Sequence, residues 1–183
     1  MMTLVFGGSG SGKSAYAESL AVSRGEGMPL YYLATMHPFG PEGRERVRRH
    51  RDMRQGKGFC TIEQPVNVET SLEQMQPGSK TILLECLSNL VANELFDGEI
   101  TDTPEAVCDQ VIAGICSLQR ASTHLILVSC DVFRDGKTYD ESTTAYLQTL
   151  GSVHQQLCTL CEEVIEVVVG IPVYEKGGVQ CTV

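Results

Sequence analysis

The chain has 183 residues, 42% of them hydrophobic, and a formal net charge of -9. That length suits one compact domain with a multilayered core, and the acidic balance argues against a nucleic-acid-coating protein, which needs clustered Lys and Arg to release counterions. No apolar run approaches the roughly 20 residues that cross a bilayer, and Met1 leads straight into a strand-like stretch instead of a signal peptide, so a cytoplasmic location is expected.

Thr3–Phe6 is the first short apolar run and is predicted to be a strand. It opens into Gly7-Gly8-Ser9-Gly10-Ser11-Gly12-Lys13-Ser14, which fits G-x-x-x-x-G-K-[ST], and then into a helical segment over Ala15–Ser23. Glycines in such a loop let the backbone fold round an anion with its N–H groups inward, because a Cβ would block both the turn and the close approach. The helix N-terminus adds partial positive charge. By this pattern Lys13 reaches the β- and γ-phosphates of a nucleotide and the Ser14 hydroxyl ligates Mg²⁺.

Leu30–Ala34 is predicted as the second strand. Met36–Gly43, rich in Gly and Pro, is expected to be a mobile loop. Six arginines follow in a short stretch, Arg44, Arg46, Arg48, Arg49, Arg51 and Arg54, the one strongly cationic segment of an acidic chain. Helical spacing puts Arg46, His50 and Arg54 on one face. From composition this is either a solvated basic face or an anion-holding surface whose cations keep His50 neutral and nucleophilic.

Phe59–Ile62 reads as an edge strand and Thr81–Leu84 as a buried central one. Glu85 therefore emerges at a strand's carboxyl end, where open α/β sheets bind ligands, and is a candidate to hold the metal or act on the acceptor. Leu87, Leu90, Val91 and Leu95 mark a helix, as do Val107, Val111, Ile112, Ile115 and Leu118. Leu125–Ser129 is a further strand, with Asp131 a second carboxylate at its end. The polar Phe133–Asp140 is expected to be mobile. Leu147, Leu150, Val153, Leu157 and Leu160 form the last helix stripe, and Val164–Val169 the last core strand, followed by a turn at Lys176-Gly177-Gly178.

The alternation predicts an α/β fold over residues 1–183, a mainly parallel sheet flanked by helices of the P-loop nucleotide-binding kind. The eight cysteines are expected to be reduced and mostly buried. Cys158 and Cys161 have the spacing of half a metal site or a redox pair, but they sit in a helical segment without a second such pair, which favours packing. His37 reads as an exposed loop residue; His124 has no assigned role.

In order along almost the whole chain, Gly7–Ser14, Leu30–Thr35, Arg46–Arg54 around His50, Thr61–Glu63, Ile82–Cys86, the strand into Asp131, and Gly151–Leu157 resemble the bifunctional adenosylcobinamide kinase/adenosylcobinamide-phosphate guanylyltransferase family. The phosphate loop is common to many nucleotide enzymes; R-x-x-x-H-x-x-x-R followed by L-L-E-C is far more specific. The resemblance implies two reactions. ATP or GTP phosphorylates the aminopropanol hydroxyl of adenosylcobinamide, and GTP then yields GMP to that phosphate through a guanylyl intermediate on His50. It further implies guanine-nucleotide contacts at the phosphate loop, at Ala34, Thr35 and Met36, at Arg51, Asp52, Met53 and Arg54, and at Glu63 and Glu85, in a homotrimer.

The chain departs from that pattern in one region. Cys130-Asp131-Val132-Phe133 stands where N-E-V-G is usual, Thr138 and Thr144 stand for a Pro and an Arg, and His154 stands for an Asn. Two other readings are compatible with the phosphate loop: a simpler small-molecule kinase in which His50 is only part of a basic face, and a nucleotide-binding regulatory protein without turnover.

Overall fold

The computed structural model describes residues 1–37, 56–96, 103–133 and 136–178. Seven strands form one sheet: β1 (Met2–Gly7), β2 (Leu30–Ala34), β3 (Phe59–Glu63), β4 (Thr81–Glu85), β5 (His124–Cys130), β6 (Glu163–Val168) and β7 (Ile171–Lys176), in the order β3-β2-β4-β5-β1-β6-β7. All neighbours pair in parallel except β6 and β7. Among the described residues the helices are α1 (Lys13–Arg24), α2 (Leu87–Phe96), α3 (Pro104–Arg120) and α4 (Glu141–Leu160), with a 3-10 helix at Val68–Gln74. None of the described helices is long and apolar enough to cross a membrane.

The central strands are apolar on both sides because both faces are covered. Leu4, Leu33, Ile82, Leu84, Leu125 and Leu127 pack with Leu87, Leu90, Val111, Ile115, Leu118, Leu150, Val153 and Leu157 of α2, α3 and α4. The alternate residues Val5, Tyr32, Leu83, Ile126, Val128 and Ile165 pack with Ala17 and Ala21, whose small side chains bring α1 close to the sheet. Helix starts are locally encoded. The Thr103 hydroxyl accepts from Ala106 N at 3.3 Å with Pro104 in the first turn, and the Asp140 carboxylate accepts from Thr143 N at 2.7 Å. That capping bond and the nearby Ser142 hydroxyl hold the Asp140 carboxyl below its ordinary value.

The predicted strands and helices that fall on described residues are present, with ends shifted by a few residues; the helical face expected for Arg46, His50 and Arg54 lies outside them. Phe59–Glu63 is indeed an edge strand. Two expectations are corrected. Leu160, assigned to a buried stripe, is 43% exposed, because α4 has reached its last residue there. Val169 leaves the last core strand and, with φ 49, turns the chain through Gly170, φ 81, into the unpredicted β7. Pro172 argues against a strand within a sheet but is tolerated in β7, which lies at the edge. The seven described cysteines are free; Cys161 is buried and Cys158 exposed, so packing accounts for only the former.

Candidate active site

The parallel strands end on one edge, and the register lines up their last residues. Ala34 pairs with Glu63 on one side and Glu85 on the other, Glu85 pairs with Val128, and Gly7 pairs with Cys130. Residues spread from 7 to 130 in sequence thus occupy one rim.

At that rim the loop from Gly7 to Ser14 turns from β1 into α1. Gly12 is the residue before the helix and has φ 90, a conformation other residues adopt at a cost of roughly 1–2 kcal/mol. A Cβ on Gly7 would lie 2.6 Å from the Val167 carbonyl and 2.7 Å from Ser11 Oγ, so the loop fits against β6 only without one. Gly170 N donates to Ser11 O at 2.7 Å, so the β6–β7 turn braces the loop from outside. Gly8, Ser9 and Gly10 are exposed, and Ser11 Oγ is buried with no hydrogen-bond partner. Lys13, 8% exposed, folds back so that Nζ donates to Gly8 O at 3.1 Å. The arrangement has the backbone turns, buried ammonium and helix N-terminus that cradle phosphates.

Ser14 and Glu85 meet across the width of β5. Ser14 Oγ donates to Glu85 Oε1 at 2.5 Å, and Tyr32 OH donates to Glu85 Oε2 at 2.9 Å. Tyr32 escaped the sequence reading because it looked like one more apolar residue of β2; its ring is buried against Phe59 while its hydroxyl reaches the rim. A hydroxyl beside a carboxylate is a hard oxygen donor pair, which suits Mg²⁺ held by few protein ligands plus phosphate. No group of three or more His, Cys, Asp or Glu able to hold a metal occurs among the described residues.

Thr35 is fully buried and ties β2 to β4. Its Oγ1 donates to Cys86 O and accepts from Cys86 N, both at 2.8 Å, while Thr35 N donates to Glu85 O at 3.1 Å. Asn93 Nδ2 donates to Thr35 O at 2.7 Å and to Pro65 O at 2.9 Å, securing the same corner from α2. The Thr35 hydroxyl is thus committed to the scaffold, whereas Ala34, Met36 and His37 are half-buried and Glu63 is exposed on the rim. Arg46, His50, Arg51, Asp52, Met53 and Arg54 lie outside the described residues.

β5 carries two of the chain's departures, Cys130 and Asp131, to the rim beside Gly7. Asp131 N donates to Gly7 O at 3.0 Å, and Asp131 Oδ1 accepts from Phe133 N at 3.2 Å. Cys130 N donates to Ser88 Oγ at 2.9 Å. The Cys130 side chain meets the Cys86 thiol and the Lys13 ammonium; these, Cys86 foremost, bring its thiol down to about 6 against the opposing effect of burial. The same contact, reinforced by burial, pushes Cys86 well up. Phe133 and His154 meet edge to face at 5.6 Å between ring centres, and His154 Nε2 shares a hydrogen with Ser129 Oγ at 2.7 Å. Phe6, Asp131, Phe133 and His154 line a cavity of about 190 Å³. Burial lowers the His154 pKa, opposed by Asp131. Thr138 and Thr144 are exposed outside this cavity.

The family model for cobinamide kinase / cobinamide phosphate guanyltransferase (CobU) matches residues 3–174. The chain is 29% identical over 177 residues to the bifunctional adenosylcobalamin biosynthesis protein CobP of Pseudomonas aeruginosa, spanning 97% of this chain and 98% of that protein. It is 30% identical over 185 residues to the bifunctional adenosylcobalamin biosynthesis protein CobU of Escherichia coli K12, spanning 96% and 100%. Among solved structures, the ATPase domain of G40P has a similar fold, with TM-score 0.54 at 10% identity over 90% of this chain and 68% of that one. With the phosphate cradle and whole-length match together, the chain belongs to the cobinamide kinase / cobinamide phosphate guanyltransferase family.

Proposed function

We propose that the protein phosphorylates adenosylcobinamide with a nucleoside triphosphate and then transfers GMP from GTP to the new phosphate. The observation that carries the reading is the meeting of Lys13, Ser14 and Glu85 at the rim, with Ser14 Oγ 2.5 Å from Glu85 Oε1, in a chain matched to this family over residues 3–174.

In the first reaction the loop N–H groups and Lys13 bind the β- and γ-phosphates of ATP or GTP and offset the charge that develops during transfer. Ser14 and Glu85 would hold Mg²⁺, which neutralises phosphate charge; Tyr32 orients Glu85. Asp131, at the far side of the loop, is a second candidate for the metal or the acceptor. In the second reaction the neutral His50 imidazole attacks the α-phosphorus of GTP, pyrophosphate departs, and the phosphate made first displaces the histidine to take up GMP. Ala34, Thr35, Met36, Arg51, Asp52, Met53, Arg54, Glu63 and Glu85 form the guanine-nucleotide contacts in this reading, Thr35 through its backbone because its hydroxyl is already bonded twice. Support for Ala34, Glu63 and Glu85 acting together is their common row in the sheet register. The reading includes a homotrimer, supported by the family resemblance, and a cytoplasmic location.

GTP labelled separately at the α- and γ-phosphorus tests it. Acid-labile, base-stable α-label on the protein and γ-label on cobinamide are expected. Transfer of γ-label alone would reduce the protein to a kinase, and binding without either transfer would refute both reactions.

A further inference from the structure

The turn that braces the phosphate loop from outside follows neither burial nor turn chemistry. Val169 joins β6 to β7 with φ 49, in the left-handed region, yet it is 86% exposed. A β-branched side chain is strained there, and no burial offsets the strain; Gly or Asn is what such a turn takes on its geometry alone. Ile171 is 65% exposed, and Val168, its partner across the β6–β7 pair, projects on the same face and is exposed as well. The three form an apolar shelf against the cradle. Gly170 N donates to Ser11 O at 2.7 Å, and a Cβ on Gly12 would lie 3.3 Å from Gly170 Cα.

Strain kept at an exposed position points to function, and the place of the turn says which. Glu85, proposed with Ser14 to hold the metal that bridges the β- and γ-phosphates, ends β4, so that end of a triphosphate lies toward β4. In-line transfer sets the acceptor and the nucleoside at opposite ends of the triphosphate. The nucleoside therefore leaves over the other flank of β1, where β6 lies and Gly170 touches the loop. Ala34 of β2 and Glu63 of β3 are three and four strand positions from β1 on the opposite side, about 14–19 Å at about 4.8 Å per strand. A nucleotide laid this way does not put its base on them.

We propose that Val168, Val169 and Ile171 form the nucleobase subsite of the phosphoryl donor, a shelf for the face of a purine that is separate from the guanine contacts of the second reaction. The inference rests on the phosphate-loop reading. Methyl groups contact the face of a base and read no hydrogen-bonding edge, so the shelf takes adenine and guanine alike.

Calorimetry of the full chain with ATP and with inorganic tripolyphosphate, each with magnesium, separates base from phosphate, because tripolyphosphate fills the cradle and has no base. Val169→Asn keeps a residue suited to the left-handed turn and deletes the isopropyl group; Ile171→Thr keeps the β-branch and deletes apolar surface. Each variant should bind ATP about fivefold more weakly, the effect of losing part of one apolar side chain's burial, and bind tripolyphosphate as the wild type does. In γ-phosphate transfer the KM for ATP and for GTP should rise by the same factor with kcat kept, while the KM for GTP in guanylyl transfer stays put. Val169→Asn should melt no lower than wild type, since its turn is less strained. Variants that match wild type with both ligands overturn the subsite and leave the loop reading standing. A wild type that binds neither ligand faults the loop reading, and the subsite falls with it. Weaker tripolyphosphate binding in the variants would mean that the turn only braces the loop. A smaller assembly in sedimentation, with ATP affinity unchanged, would assign the shelf to a second copy of the chain. Either of these also overturns the proposal.

Discussion

Replacing Glu85 by Gln separates chemistry from architecture more cleanly than any other change at the rim. The carboxylate accepts from Ser14 Oγ at 2.5 Å and from Tyr32 OH at 2.9 Å. Gln keeps an acceptor for one hydroxyl and turns its NH₂ to the oxygen of the other, whose proton must then turn to another acceptor, so both contacts persist in weaker form. Both bonds fall from the charged class, about 1.5–3 kcal/mol each, to the neutral class, about 0.5–1.5. The net cost is about 2 kcal/mol, which lowers Tm by about 4–8 °C in a chain of this size and leaves more than about 99% of it folded. Turnover should suffer far more. A carboxylate that holds the metal at a transferring phosphate is worth several kcal/mol, and 3–4 kcal/mol is about 10²–10³ in kcat. Tyr32→Phe removes one bond and keeps the charge, so kcat should fall less than about tenfold, and the pair should be non-additive in a double-mutant cycle because Tyr32 acts through Glu85. Phosphoryl transfer at saturating nucleotide and magnesium, beside a thermal melt, reads both quantities. Full kcat in a folded Glu85→Gln protein would refute the reasoning, as would a loss that merely tracked the unfolded fraction.

Thr35→Val removes the hydroxyl that bonds Cys86 N and Cys86 O, both at 2.8 Å, and strands two buried backbone groups; urea unfolding should show a loss of about 2 kcal/mol or more. Burial depresses the His154 pKa from 6.5, so the unfolded chain binds the proton first; the stability this supplies is complete above 6.5 and is lost as pH falls through the lower folded value. Denaturant midpoints between pH 7 and 5 should therefore decline in the wild type and decline less in His154→Asn; equal slopes would dismiss the titration. His50→Ala should abolish the GMP adduct and guanylyl transfer while phosphorylation of cobinamide persists, read by mass spectrometry and γ-label; full guanylyl transfer by that variant would overturn the histidine mechanism.

The fold was legible because its signals are local. Runs such as Ile82–Leu84 are apolar on both faces, and Gly12-Lys13-Ser14 sits between a strand and a helix, so both pattern and context point one way. β7 was hidden because the turn before it is Val169-Gly170 instead of an Asn-Gly pair, and because Pro172 obscures the alternation. Glu85 could be placed at a strand end from sequence, but its partners could not. Ser14 is 71 residues away and Tyr32 is 53 away, and only strand order brings them to one carboxylate. Thr35 shows the opposite limit: the family resemblance made it a nucleotide contact, yet its hydroxyl is consumed by the Cys86 backbone just past β4.

Strand order also gives the chain's departures a shared physical consequence. β5 lies between β1 and β4, so Cys130 and Asp131 follow it at the rim beside Gly7, and Phe133 beyond them meets His154 of α4. The Phe133 ring packs edge to face on His154 at 5.6 Å and comes within 3.9 Å of where a Cβ on Gly151 would lie. Phe133→Gly removes that wall and lets water reach the imidazole; His154→Asn removes the ring that Phe133 rests on and substitutes a smaller amide beside Ser129. Each single change therefore loses the same contact, and the double change loses it once. In a thermodynamic cycle on stability the pair should couple by about 1 kcal/mol, the range for an aromatic contact between neighbours. If the cavity serves the phosphoryl acceptor, the same cycle on KM for cobinamide should be non-additive while KM for nucleotide stays put, because the cavity is lined by Phe6, Asp131, Phe133 and His154 and by no residue of the loop. Additivity within about 0.3 kcal/mol in stability would mean that the two rings do not support one another, and a shift confined to nucleotide KM would detach the cavity from the acceptor.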